Sequence, residues 1–300
     1  MKALLKLINA QQEKVFQVMR VNEPFFYPHW HFHPECEIML VLEGSGMRFA
    51  GDSMQRFRPG DLVLLSNKIP HLYRSDKVYY EKNSGVVSRA IVVYFDEVLL
   101  RGEFWAGINF HALKRLFALS KRGIKFTGKS RNKIRNLLLE LDDSKDSLEK
   151  IIDLLSVLKT MSEATEYEQL SSDGFTNIIA EDDCQRINNV YQFVMDNYTK
   201  NPMLEAVAEI ACMSPTAFCR FFKSQTNKTY IQFLNEVKIG NACNLLINHD
   251  LSISQICFMT GFNNTAHFNN QFRKILGVTP SEYRQEHVEF VPAYSNALSR

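Results

Sequence analysis

Cysteine pairs at metal-binding spacing are missing from this 300-residue chain. Its six cysteines (Cys36, Cys184, Cys212, Cys219, Cys243, Cys257) include no CxxC. That argues against zinc-ribbon and thioredoxin-like chemistry and reads as reduced thiols used as small core residues. Glycine and proline are sparse, 13 and 9 residues, which excludes collagen-like and low-complexity chains. No window approaches the ~18 apolar residues that cross a bilayer; the longest relevant runs are Ile38–Leu42 and Ile91–Phe95. Residues Met1–Val21 lack a signal-peptide apolar core, so a cytoplasmic protein without membrane partners is expected. Charge of one sign is lacking too: 35 Lys+Arg against 33 Asp+Glu leave +2, and total charge does not announce a nucleic-acid partner.

What is present is a change of pattern. The length is about twice that of a typical domain. Before residue 110, short β-rich runs alternate with turn signals. Glu37–Glu43 ends in Gly44-Ser45-Gly46; Met47–Ala50, Gly51-Asp52, Ser53–Phe57, Pro59-Gly60-Asp61 and Leu62–Ser66 follow; Val86–Phe95 is a further strand. Close, regular spacing of this kind reads as a small all-β barrel or sandwich. Beyond 110 the period is helical. Nine cations from Lys114 to Arg135 come without one acid between them, and an acidic run, Glu140 to Asp153, follows. These predict two or more helices of opposite charge, either attracting solvated faces or a phosphate-binding strip. Residues 171–183 carry no periodicity and read as a linker.

The last hundred residues use one unit twice. Leu204, Val207, Ala208 and Ala211 define a short buried helix face. Ser214-Pro215 restarts a helix with a Ser cap and Pro at its first position. Phe218, Phe221 and Phe222 form its buried stripe, and Pro215, Thr216, Cys219, Arg220 and Lys223 its outer face. Roughly fifty residues later, Ser252-x-x-Gln255 is a capping box and Gly261-Phe262 a tight turn. A helix from about Asn264 then buries Phe268, Phe272, Ile275 and Leu276. Its front is Thr265, Ala266, His267, Asn270 and Arg273, and Thr279-Pro280-Ser281-Glu282 caps a closing helix. Between the units, Tyr230 to about Ile247 is one candidate helix, roughly 27 Å long. With helix widths added, two reading helices can sit about 34 Å apart, one turn of B-DNA.

In the N-terminal part, His29, His31 and His33 alternate and share one face if the segment is a strand. The spacing His31-x-His33-x3-Glu37-x6-Gly44 matches the first cupin motif, and Gly60-Asp61 ahead of His71 resembles the second. Ser66, Lys68 and Ser75 depart from it. Three imidazoles and a carboxylate suit Fe, Mn, Ni or Zn. They equally suit a polar effector pocket beside Trp30 and Tyr73, or histidines satisfied within a barrel.

Residues 184–286 resemble the DNA-binding domain of the AraC/XylS family of transcription regulators. The match is carried by Gly261-Phe262, His267-Phe268, Phe272-Arg273-Lys274, Gly277-Val278-Thr279-Pro280 and Tyr283-Arg284. Cys212 stands in the first turn where many helix-turn-helix proteins have Gly. The resemblance implies an α+β multidomain fold: a cupin-like effector-sensing β-barrel over 1–110, a helical linker and dimerisation region over 111–183, an all-α domain with two helix-turn-helix motifs over 184–288, and a tail over 289–300. It implies DNA contact by Ser214, Pro215, Thr216, Cys219, Arg220 and Lys223, and by Asn264, Thr265, Ala266, His267, Asn270 and Arg273. It places a small effector, a sugar or related metabolite, at Trp30, His31, His33, Glu37, His71 and Tyr73. Expected partners are double-stranded DNA, a second copy and, for an activator, RNA polymerase. No catalytic residue and no cofactor are expected; were a metal present, His31, His33, Glu37 and His71 would be its ligands. The alternative is a metal-dependent cupin enzyme with an appended helical binding domain.

Overall fold

The computed structural model describes residues 16–67, 69–82, 84–96, 110–173, 175, 181–248 and 250–288, the side chains of 181–184, 248 and 286–288 excepted. The expected tail over 289–300, and the Cys184 side chain, lie outside this set. The chain divides into two compact units, Met1–Asn188 with Gln225–Asn227, and Asn189–Ser224 with Lys228–Arg300.

The first unit is built on strands β1 (Phe16–Glu23), β2 (Cys36–Glu43), β3 (Gly46–Ala50), β4 (Ser53–Phe57), β5 (Leu62–Leu65), β6 (His71–Ser75), β7 (Ser88–Phe95), β8 (Ile124–Phe126) and β9 (Tyr167–Gln169). They form a six-stranded sheet in the order β1-β7-β2-β5-β8-β9 and a three-stranded sheet β4-β3-β6. The paired strands of both sheets run antiparallel. The central strands of the large sheet are buried on both faces, which is why β2 and β7 read as unbroken apolar runs rather than alternations. Met39, Val41, Val63, Leu65, Val92 and Tyr94 join Phe57 and Tyr73 in one core cluster. Their neighbours Ile38, Leu40, Leu62, Leu64, Ile91 and Val93 belong to a second one.

Helices α1 (His111–Ser120), α2 (Gly128–Asp143) and α3 (Ser147–Ser162) supply the rest of that second core through Leu116, Ile134, Leu138, Leu141, Leu154, Val157 and Leu158. The break expected near residue 110 is therefore a change of secondary structure within one unit. The sheet's second apolar face needs a cover, and these helices are it. The charge division also falls elsewhere than expected. Lys129–Arg135 and Glu140–Asp143 share α2, whose acidic end meets Arg20 of β1: Arg20 bonds Asp142, and its Nη2 lies 2.6 Å from Asp143. The start of the expected linker is tied down, with Ser171 Oγ donating to the Ala50 carbonyl at 3.2 Å and Ser172 N–H to Asp52 at 2.9 Å.

The unit boundary falls within α4 (Glu181–Asn197). The second unit continues with α5 (Leu204–Ile210), α6 (Pro215–Thr226), α7 (Tyr230–Asn248), α8 (Ile253–Met259), α9 (Thr265–Leu276) and α10 (Pro280–Val288). Both expected caps of the second element form. Ser252 and Gln255 make a reciprocal capping box, and Thr279 and Glu282 exchange the same pair of bonds at 2.7 and 3.3 Å. Leu276 departs from expectation: it is 39% exposed. At about 100° per residue, Ile275 lies some 20° from the Phe268 direction, whereas Leu276 lies some 80° from it, at the outer edge of the stripe beyond Phe272. Phe221 is likewise half-buried beside the fully buried Phe218 and Phe222.

Candidate functional site

In the first unit, the His29–His33 segment is not a strand. His31 pairs with β6, exchanging backbone bonds with His71 at 3.1 and 2.8 Å. That bridge sets the two rings 4.3 Å apart, while His33 stands 5.1 Å from His71. His29 turns to Tyr27 instead. His31, His33 and His71 are buried, and their ligand atoms all lie within 4.8 Å of one another. Glu37, from the start of β2, places Oε2 3.2 Å from His33 Nε2 and 3.4 Å from His71 Nε2.

Burial opposes ionisation of Glu37, yet His71 and His33 together hold its carboxyl well below the usual carboxylate range. Burial first, and His71 second, push His31 well below the usual imidazole range. Burial and then the Glu37 charge raise the Tyr94 phenol, so it remains a protonated donor beside that carboxylate.

This cluster closes one end of a cavity of about 440 Å³. Of the expected effector residues, His31, Glu37, His71 and Tyr73 lie on its wall. Trp30 and His33 are fully buried and are not among the lining residues. Phe26, Tyr27, Met39, Val92 and Tyr94 supply much of the remaining lining. A mostly apolar pocket of this volume with a few converging polar groups is the usual form of a small-molecule site. Tyr94 was not legible as a site residue, since within Val86–Phe95 it reads as core. Arg48 was missed too: this buried guanidinium on β3 bonds Asp61 of the Pro-Gly-Asp turn and Gln55 at 2.9 Å.

In the second unit, α5 and α6 form one helix-turn-helix and α8 and α9 the other. The first turn places Cys212 at φ +55°, a left-handed conformation usually left to Gly. The second uses Gly261 at φ +81°, where a Cβ would stand 2.7 Å from Thr199 backbone. Lys238, a buried lysine of α7, secures this turn: it donates to the Gly261 carbonyl at 2.9 Å, bonds Asn201, and lies over the Phe262 ring. Tyr191 of α4 stacks on Phe233 of α7, and both rings contact Phe222, locking α6 in place.

The outward residues fall where the helical period puts them. Ser214, Pro215, Thr216, Cys219, Arg220 and Lys223 are exposed on or before α6. Ala266, His267, Asn270 and Arg273 are exposed on α9, and Thr265 is half-buried. Asn264 is exposed but its Oδ1 caps α9, accepting from Ala266 and His267 at 2.8 and 3.1 Å. Asn269, exposed between Thr265 and Arg273, joins this front; its amide can pair bidentately with an adenine edge.

Residues 21–102 match the family described as AraC-like ligand binding domain, and residues 207–286 match the family described as Helix-turn-helix domain. The chain is 24% identical over 260 residues to the HTH-type transcriptional activator RhaR of Enterobacter sp. (strain 638), covering 85% of this chain and 86% of that one. It is 31% identical over 102 residues to the HTH-type transcriptional regulator AdiY of Escherichia coli (strain K12), covering 34% and 40%. Among solved structures, ToxT from Vibrio cholerae O395 aligns over 92% of this chain and 99% of that one, at 13% identity and a TM-score of 0.37.

Proposed function

The chain belongs to the AraC/XylS family of DNA-binding transcription regulators, and from that premise we propose that its barrel senses a small polyhydroxylated metabolite, such as a sugar. The cavity supports this reading. Its polar end offers a carboxylate, imidazoles and phenols to hydroxyl groups, and aromatic rings flank them.

Thr216, Cys219 and Arg220 of α6, with Ala266, His267 and Asn270 of α9, are the base- and phosphate-reading residues in this proposal. The observation that carries it is the pair of exposed polar fronts on two capped helices joined by the single helix α7. Residues 184–288 carry nine Lys/Arg against seven Asp/Glu. Phosphate binding then rests on local placement more than on a bulk field. Affinity from one copy is modest, so the working form is a homodimer. Exposed Leu148, Ile151 and Ile152, spaced as one stripe of α3, support a second copy as partner. As a cytoplasmic activator it would also meet RNA polymerase. Among the described residues no helix is long and apolar enough to cross a membrane. The enzyme reading rests on the three histidines and Glu37, and turnover abolished by His71→Ala would support it.

The test is selection of genomic fragments by purified protein, with footprinting at two salt concentrations. Protection of two successive major grooves is the expected result, and genes beside the site then point to the effector. Retention of DNA without sequence preference, with or without candidate sugars, would overturn the reading.

A further inference from the structure

The first unit holds a second cavity, of about 380 Å³, whose lining shares no residue with the one closed by the histidines. The two lie on opposite sides of the six-stranded sheet. Met39, Tyr73, Val92 and Tyr94 of the first belong to the core cluster on one face. Leu116, Ile124, Phe126 and Met161 of the second belong to the cluster on the other. The second cavity forms where the sheet runs out. Strands β8 and β9 are three residues each, and β9 ends the strand order. Ala164 and Thr165, just past the end of α3, bring only small side chains to the wall. The floor is apolar and closed, its four residues each no more than 3% exposed. Left unfilled, such walls forgo the packing contacts that an apolar occupant supplies.

The mouth is polar. Arg115 of α1, Thr165, and Tyr167 of β9 line it and are exposed. Arg115 meets the Ser162 main-chain carbonyl at 3.4 Å, and among the described residues no carboxylate pairs with it. The neighbouring acids are turned elsewhere: Glu163 to Lys159 at 3.9 Å, Glu168 to Lys125 at 3.6 Å, and Glu166 to the Ser130 N–H at 2.9 Å. The last carbonyls of α3 are engaged as well, Lys159 accepting from Glu163 N–H and Ser162 Oγ, and Met161 from Ala164 N–H. A guanidinium with unused donors therefore stands at the mouth of an apolar cavity, and a carboxylate is the anion its planar fork matches. The Thr165 and Tyr167 hydroxyls, which bond no described residue, add two further donors. We propose that this cavity binds a small monocarboxylic acid, its apolar body over Leu116 and Phe126 and its carboxylate on Arg115. Below the mouth the one polar side chain on the wall is Ser162, whose hydroxyl is committed to the Lys159 carbonyl. A polyhydroxylated ligand would bury hydroxyls there without partners, so this site differs in chemistry from the barrel's. The inference stands apart from sugar sensing and from DNA binding, and it gives the chain two small-molecule inputs.

The full chain, isotope-labelled at its methionine methyl groups, reports on both cavities at once by NMR, because Met161 lines the second and Met39 the first. Octanoate and octanol are the paired probes. Octanoate should shift the Met161 methyl resonance and leave Met39 in place, with a Kd at least about tenfold below that of octanol. Arg115→Gln should remove that preference. Thr165→Trp, which fills the mouth from an exposed position, should abolish the Met161 response while Tm stays near wild type. A Met161 methyl that octanoate does not move at up to about 10 mM overturns the proposal. So does octanoate that moves Met39 instead, or a preference for octanoate that Arg115→Gln retains. Equal binding of the two probes to the wild-type chain overturns it as well, so the wild-type titrations decide the matter even if a variant fails to fold.

Discussion

Asp61, which ends the Pro-Gly-Asp turn, pairs with Arg48 across the interior of the barrel, both side chains nearly inaccessible to water. Arg48 also bonds Gln55 of β4 at 2.9 Å, so one guanidinium ties the turn before β5 to the smaller sheet. Removing one member of a buried pair strands the other charge at a cost of about 3–5 kcal/mol. Asp61→Asn should therefore lower the unfolding free energy of this unit by roughly that amount in urea titration. The double variant Arg48→Met/Asp61→Leu should recover part of the loss. Equal stability of Asp61→Asn and wild type would show that the pair contributes nothing.

Lys238 makes a parallel case in the second unit. Its ammonium serves the Gly261 carbonyl and Asn201 at the turn between α8 and α9. Lys238→Met keeps the apolar stem over Phe262 but removes the ammonium's bonds to the Gly261 carbonyl, which keeps the Asn201 amide donor at 2.9 Å, and to Asn201 Oδ1, a loss of about 1–3 kcal/mol. We expect a matching drop in denaturation midpoint and faster amide exchange in α8 and α9. Unaltered exchange there would show that the turn holds itself.

How much of this was legible follows from where the determinants lie along the chain. The helix-turn-helix elements are local: the Ser252–Gln255 box, the Gly261 turn and the Phe268–Phe272 stripe each span a few residues, and all were readable. The helical cover on the barrel was not. Whether Leu138 or Leu154 meets a sheet or another protein depends on long-range packing that periodicity does not encode. His31 and His71 were readable as a pair only through motif spacing. The backbone bridge that joins their rings links residues forty apart. Leu276 was misplaced because a one-residue step at a helix end turns a side chain to the edge of the stripe.

The exposed stripe of α3 gives a test of self-association. Leu148 and Ile152 are 65% and 54% exposed on the helix whose other face fills the core. Ile152→Glu should leave Tm near wild type, since the side chain is solvent-facing, and should weaken the dimer at least about tenfold, roughly 1.4 kcal/mol. Light scattering over a concentration series reads this directly. A dimer of undiminished strength would place the interface elsewhere.

Arg220 is exposed on α6 one turn after Thr216, with Phe218 and Phe222 holding the helix from behind. Arg220→Ala should weaken binding to the selected DNA site by about 1–3 kcal/mol, as for a lost base or phosphate contact. The two origins separate by salt. If Arg220 contacts phosphate, the variant loses affinity on every sequence and its salt dependence flattens by about one counterion. If it reads a base edge, the loss is confined to the specific site and discrimination relaxes at one position. Anisotropy titrations against specific and scrambled duplexes at two salt concentrations distinguish these outcomes, and unchanged affinity on both duplexes removes Arg220 from the interface.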